Sequence, residues 1–238
     1  MNTLRTTLKN GFRDQYFISE TYRRFVLRRA LQQVTPSTGR ELTATTVENL
    51  IYGWGNHPWS AKQEFIQAMV QAAWQVQGPI LDCGSGLSTL LLGVVAQQTG
   101  QRVWSLENNP FWANKVREAL ARYRIDNVDI CLAELRNHKS YSWYAAPKDR
   151  MPTNFALVVC DGPPGHTFGG RYGLLPEMRA HFKPGCIILL DDAERSGEQE
   201  VLIRWSRELG NQAAKLGSVK AYGRLMIPGT SMPAARSA

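Results

Sequence analysis

The residues able to do chemistry in this chain of 238 residues gather at the ends of five short apolar runs. PILDC (79–83) leads into Asp82-Cys83-Gly84-Ser85-Gly86, and VWSLE (103–107) ends in Glu107. VDICLA (128–133) is followed by Glu134, FALVVCD (155–161) ends in Asp161, and CIILLDD (186–192) ends in Asp191-Asp192. Any single carboxylate of this set could simply cap a helix. Together, in a chain of net charge +8, they predict an acidic cleft suited to a ligand with hydroxyls, amino groups or a positive charge. Gly84 and Gly86 let the backbone turn tightly and approach such a ligand closely. Glu107, 21 residues beyond Gly86, offers a carboxylate that can accept two hydrogen bonds from a ribose diol. A nicotinamide dinucleotide would be met this far, but its fingerprint asks for a third glycine where GSGLST has Thr89.

The elements that must position these residues follow from the same pattern. Nearly continuous apolar runs are expected of parallel strands covered on both faces. Helices are predicted after them at 87–98, 110–123 and 195–209. Strand and helix alternating in this way imply an α/β fold, a doubly wound, mostly parallel sheet. The tail GSVKAYGRLMI (217–227) reads as two closing strands. Before Gly78 the pattern is helical: 17–33, 44–52, and a helix capped by Ser60 with Gln63 at the capping-box position, running to about Gln75. The predicted division is a helical N-terminal extension or lid over 1–77 and a ligand-binding domain over 78–238.

Composition bounds the answer. Hydrophobic residues at 43% suffice for a sizeable core, and 20 glycines with 12 prolines are too few for a fibrous or low-complexity chain. No apolar run is long enough for a membrane-spanning helix, and MNTLRTTLKNGFRDQYF lacks the apolar core of a secretory signal. Cys83, Cys131, Cys160 and Cys186 form no CxxC pair and sit in or beside strand-like runs. They are expected as buried thiols in a reducing, cytoplasmic setting.

LDCGSGLST, SLE and the acidic end of the fourth run resemble class I (Rossmann-like) S-adenosylmethionine-dependent methyltransferases, over about residues 79–228. The resemblance implies S-adenosylmethionine as cofactor. Asp82, Gly84, Ser85 and Gly86 would cradle it, Glu107 would hold its ribose, Glu134 would read the adenine amino group, and Asp161 would complete the site. A cofactor carrying a sulfonium and an ammonium suits carboxylates in a restricted dielectric. It lacks a pyrophosphate, so the third close-approach glycine is dispensable. The fourth and fifth run ends further resemble catechol O-methyltransferase-like enzymes, which hold magnesium with an Asp and an Asp-Asn pair. Here Asp161, Asp191 and Asp192 would be the metal ligands, aspartate replacing asparagine with an equally hard oxygen. Such an ion would lower the pKa of a substrate hydroxyl. Alternatively, Asp161 contacts only the cofactor or a loop N–H, and the Asp pair caps the helix beginning near Glu194.

Other segments carry smaller expectations. Amino-methyltransferases acting on adenine or glutamine carry Asp/Asn-Pro-Pro followed by an aromatic. DGPPG (161–165) inserts Gly162 and ends in Gly165, so a rigid turn shaping the substrate mouth is expected instead. HTFGGRYG (166–173) reads as a mobile loop offering His166, Arg171 and Tyr172 to substrate, with His166 and Asp161 as candidate catalytic groups. His57 and Trp59 are candidate lining residues, and Trp143 or Tyr144 could flank an adenine or belong to the core. Arg23, Arg24, Arg28 and Arg29 read as an anionic-surface contact or a solvated helix face. The helix at 17–33 is a candidate homodimer face or domain contact.

The expected function is methylation of an oxygen on a small-molecule acceptor, with magnesium assisting. The rivals are an amino-methyltransferase acting on protein or RNA, a non-catalytic scaffold retaining the fold, and a nicotinamide-dependent oxidoreductase. Common RNA-binding signatures are missing from the sequence, so nucleic acid is the lesser expectation.

Overall fold

The structure, a computed structural model, describes residues 19–36, 42–55 and 61–229. Helix α1 covers residues 19–31. It is followed by α2 (Ala44–Trp54) and α3 (Gln63–Gln75). Alternation then begins: β1 (Ile80–Cys83), α4 (Leu87–Thr99), β2 (Val103–Glu107), α5 (Pro110–Tyr123) and β3 (Val128–Leu132). A small hairpin, β4 (Leu135–Asn137) and β5 (Ser142–Tyr144), precedes β6 (Phe155–Cys160). The chain closes with α6 (Leu174–Met178), β7 (Phe182–Leu190), α7 (Ser196–Leu209), β8 (Ala214–Leu216) and β9 (Tyr222–Met226).

Seven strands form one sheet in the order β3-β2-β1-β6-β7-β9-β8. The strands from β3 to β7 run parallel, while β9 is antiparallel to β7 and β8. This is the doubly wound, mostly parallel sheet that the alternating runs predict. The chain leaves β1 toward β2 on one side, and β6 lies on the other. Ligands of such sheets bind outside the carboxyl ends at this switch point, where the acidic run ends converge.

Period-two alternation divides the core. Ile80, Leu157, Val159, Ile187 and Leu189 face a layer built from α1 to α5. Leu81, Cys83, Val158, Cys160, Ile188 and Leu190 face α6, α7 and Trp143 and Tyr144 of the hairpin. The helices before Gly78 therefore pack into the same core as α4 and α5: Leu27, Leu50, Phe65 and Met69 are buried in it. Cys83, Cys160 and Cys186 are buried free thiols and Cys131 is half-buried.

Local chemistry sets the ends of the helices. Asn109 accepts the Trp112 N–H at 3.2 Å and Pro110 fills the first turn of α5, where a missing N–H costs nothing. Thr43 caps α2 in the same way. Two boundaries differ from expectation. Helix α3 begins at Gln63 with Lys62 as its N-cap, and Ser60 lies outside the described residues. The closing hairpin starts at Ala214, so residues 217–221 are its turn.

Candidate active site

Asp82 is fully buried beneath the glycine turn. Three hydroxyls converge on its Oδ2: Thr89 at 2.6 Å, Ser105 at 3.1 Å and Ser88 at 3.4 Å. Burial pushes the carboxyl up to about 7, against these hydrogen bonds. Its Oδ1 has no partner among the described residues. Thr89 Oγ1 also accepts the Gly86 N–H at 2.8 Å. The residue standing where a dinucleotide-binding chain has its third glycine is thus the one that fastens the turn to Asp82. Its hydroxyl was the signal available in the sequence, where Thr89 counted only as a missing glycine.

Glu107 fixes the other side of the turn. Its Oε2 accepts the Ser85 N–H at 3.0 Å and the Ser85 hydroxyl at 2.8 Å, and its Oε1 accepts the Asn109 N–H at 2.8 Å. Gly84 has φ +92°, and a Cβ there would stand 2.9 Å from the Gly162 N. A Cβ on Gly162 would collide with the Tyr144 hydroxyl and the Gly84 Cα. These two glycines allow the turns after β1 and β6 to touch. The donor set fits S-adenosylmethionine: a glycine turn without Cβ obstruction at Gly86, a buried carboxylate with a spare oxygen below it, and Glu107 at the adjacent strand end. Glu134 is exposed between β3 and β4, where its carbonyl accepts the Ala145 N–H at 2.8 Å. No hydrogen bond of its carboxylate to the turn is seen among the described residues.

Asp161, Asp191 and Asp192 also come together, each with a carboxylate oxygen within 4.8 Å of the others. They come with cations of the chain itself. Buried Arg171 donates through Nη1 to the Asp191 carbonyl at 2.7 Å. Its Nη2 reaches Asp192 Oδ2 at 2.9 Å and Asp161 Oδ1 at 3.2 Å. Glu198 Oε1 lies 3.8 Å from Arg171 Nε. Lys220 Nζ lies 2.8 Å from Asp191 Oδ2 and 2.6 Å from Asp192 Oδ1. Arg195 adds a contact of 2.7 Å to Asp192 Oδ2.

These neighbours set the charges. Burial pushes Asp161 up to about 7, opposed by Arg171 and aided by Asp191 and Asp192. Burial alone would raise Asp192 too, but Lys220, Arg171 and Arg195 hold it below the usual range. Burial alone would lower Lys220, but Asp191 and Asp192 hold it above its usual value. A divalent ion does not fit this arrangement, because ammonium and guanidinium groups already occupy the oxygens it would need.

Several expected contacts are corrected. Arg171 is 2% exposed and serves as countercharge beneath the strand ends rather than as a substrate contact. Tyr172 is turned away as well, donating to Glu208 Oε1 at 2.5 Å beneath the Arg204 guanidinium. The segment 166–173 is pinned rather than mobile. The Ser142 N–H donates to the Phe168 carbonyl at 2.7 Å, and Gly169 lies against Tyr141 too closely for a Cβ. Its glycines serve packing. His166 stands exposed on that loop. Trp143 and Tyr144 are core residues. Arg23, Arg24, Arg28 and Arg29 form an exposed face of α1, whose Leu27 and Leu31 are buried. His57 and Trp59 lie outside the described residues.

Comparison with known proteins agrees with this fold. Residues 81–193 match the family described as a methyltransferase domain. Those residues form a methyltransferase domain. Among solved structures, the methyltransferase is similar to an O-methyltransferase from Bacillus cereus in complex with SAH. The two share 16% identity with a TM-score of 0.52, over 85% of this chain and 90% of that one. The O-methyltransferase TomG from Streptomyces achromogenes, involved in tomaymycin synthesis, gives 14%, 0.52, 84% and 90%. A methyltransferase from Podospora anserina, SAH-bound, gives 14%, 0.51, 89% and 94%. Identities this low speak for the fold of the methyltransferase. No curated protein sequence matches it. No described helix of the methyltransferase is long and apolar enough to cross a membrane.

Proposed function

We propose that this methyltransferase methylates an oxygen of a small molecule. The observation that carries the reading is the closed turn after β6. The amino-methyltransferases that act on adenine or glutamine use an aromatic platform after Pro-Pro, and here Gly165 follows, while Gly162 is locked between Gly84 and Tyr144. What the β6 and β7 ends offer instead is a cluster of carboxylates and cations, which suits a hydroxyl and its proton. Two of the similar structures are named O-methyltransferases, which supports the choice.

When bound, S-adenosylmethionine supplies an electrophilic methyl group on a sulfonium. Gly84, Ser85 and Gly86 shape the cradle, Asp82 offers its unpartnered Oδ1 beneath it, and Glu107 meets the ribose diol. Glu134 is assigned to the adenine edge. Asp161, a quarter exposed and the most open of the three aspartates, receives the acceptor hydroxyl proton at its carboxylate, with His166 on the following loop as the second candidate. Catalysis rests mainly on holding the two reactants in line, an effect worth up to about 10 kcal/mol. No step passes through a metal, since the carboxylates that would hold one carry Lys220, Arg171 and Arg195.

The test is methyl transfer from labelled S-adenosylmethionine to a panel of hydroxylated small molecules, with protein and RNA run alongside. A methoxy product on a small molecule is expected. An N-methyl product on protein or RNA alone would overturn the oxygen reading.

A further inference from the structure

We infer that the Lys220 ammonium is the resident cation of the β6 and β7 strand ends, standing in place of a divalent metal, so that this enzyme works without one. Asp161, Asp191 and Asp192 present six carboxylate oxygens. Four of them have a guanidinium or ammonium nitrogen within 3.2 Å. A fifth, Asp191 Oδ1, is sealed from solvent. One remaining oxygen, on Asp161, is too few for a hard cation that takes about six oxygen ligands.

Lys220 is held in place rather than draped over the cluster. It sits in the turn between β8 and β9, and Glu64 of α3 clamps that turn by accepting the Ser218 N–H at 2.9 Å and the Val219 N–H at 3.0 Å. The Ala221 carbonyl on its other side accepts the Ala193 N–H at 2.8 Å. An ammonium carries three N–H donors. Two are committed to Asp191 and Asp192, and the third is left for an acceptor oxygen. On the oxygen-acceptor reading, a single free donor suits one hydroxyl or carboxylate, whereas a metal can chelate both oxygens of a vicinal diol.

The test is Mn2+ titration of EDTA-stripped full-length protein, followed by electron paramagnetic resonance, with and without S-adenosylhomocysteine. Wild type should leave the free Mn2+ signal unchanged, with a Kd weaker than about 1 mM, and neither Mg2+ nor EDTA should move its Tm. Lys220→Ala frees Asp191 Oδ2 and Asp192 Oδ1 and should gain Mn2+ affinity by about tenfold or more. Lys220→Arg should keep the ion out. Should Lys220→Ala not fold, the wild-type and Lys220→Arg titrations still decide. Stoichiometric micromolar Mn2+ binding by wild type overturns the inference, as does methylation of a catechol that rises with added Mg2+. Calorimetry with S-adenosylmethionine on the same samples separates the two readings. Mn2+ binding with the cofactor heat intact overturns only the metal-free inference, and absent heat overturns the cofactor site alone.

Discussion

Asp82 shows how much one buried carboxylate can govern. Its pKa in the folded chain is about 7, raised by burial above the usual carboxylate value of 3.8. Between about pH 4 and 7 the folded state therefore holds a proton that the unfolded chain has released. Stability from this group is present at low pH and lost as pH rises through that window, by up to about 4 kcal/mol. Asp161 acts in the same sense. Urea unfolding at pH 5 and pH 8 checks this: Asp82→Asn should narrow the gap between the two midpoints, and an unchanged gap contradicts the assignment. Individual residues were unevenly legible. The acidic strand ends could be read because each follows an apolar run and stands at a strand terminus. Arg171 and Lys220 could not be placed, since their roles come from chain segments that fold back onto β6 and β7. Several buried carboxylates with no partner in sequence do call for countercharge, and that was the signal available.

At the element scale, the parallel strands and the helices after them were legible from apolar runs and caps. The β4–β5 hairpin was not. Its three-residue strands carry SWY, whose aromatics point to the core only because the turn after β6 and the loop at 166–173 close over them. The contact of Gly162 with Tyr144 and Gly84 is the hinge of that arrangement. Gly162→Ala should cost about 1–3 kcal/mol through overpacking, lowering the Tm by about 3–10 °C. Adding Tyr144→Phe should recover part of the loss by removing the hydroxyl from the collision. Differential scanning calorimetry reads both, and a Gly162→Ala protein with wild-type Tm would show that the turns do not pack this closely.

Across the whole molecule, the helical layer before Gly78 is tied to the site through Glu64, which grips the turn carrying Lys220. Donors from Ser218 and Val219 lower the Glu64 carboxyl to about 2. Its grip is complete above the unfolded value of 4.5 and is lost as pH falls toward 2. Glu64→Ala should speed amide exchange of Ser218 and Val219 by roughly tenfold at neutral pH, leaving the β1 and β6 amides unchanged. Exchange that stays at the wild-type rate contradicts the clamp. No sequence pattern announced this link, because it joins residues 154 positions apart.

On the proposed function, the turn Gly84-Ser85-Gly86, flanked by Asp82 and Glu107, holds S-adenosylmethionine. Calorimetric titration of the folded protein with S-adenosylmethionine, with NADH as control, is the test. Micromolar binding of S-adenosylmethionine alone is expected, with Glu107→Ala weakening it by about 10- to 100-fold, the loss of a charged hydrogen-bond acceptor. No heat with S-adenosylmethionine in a protein whose circular dichroism shows it folded, or full affinity in Glu107→Ala, would contradict it.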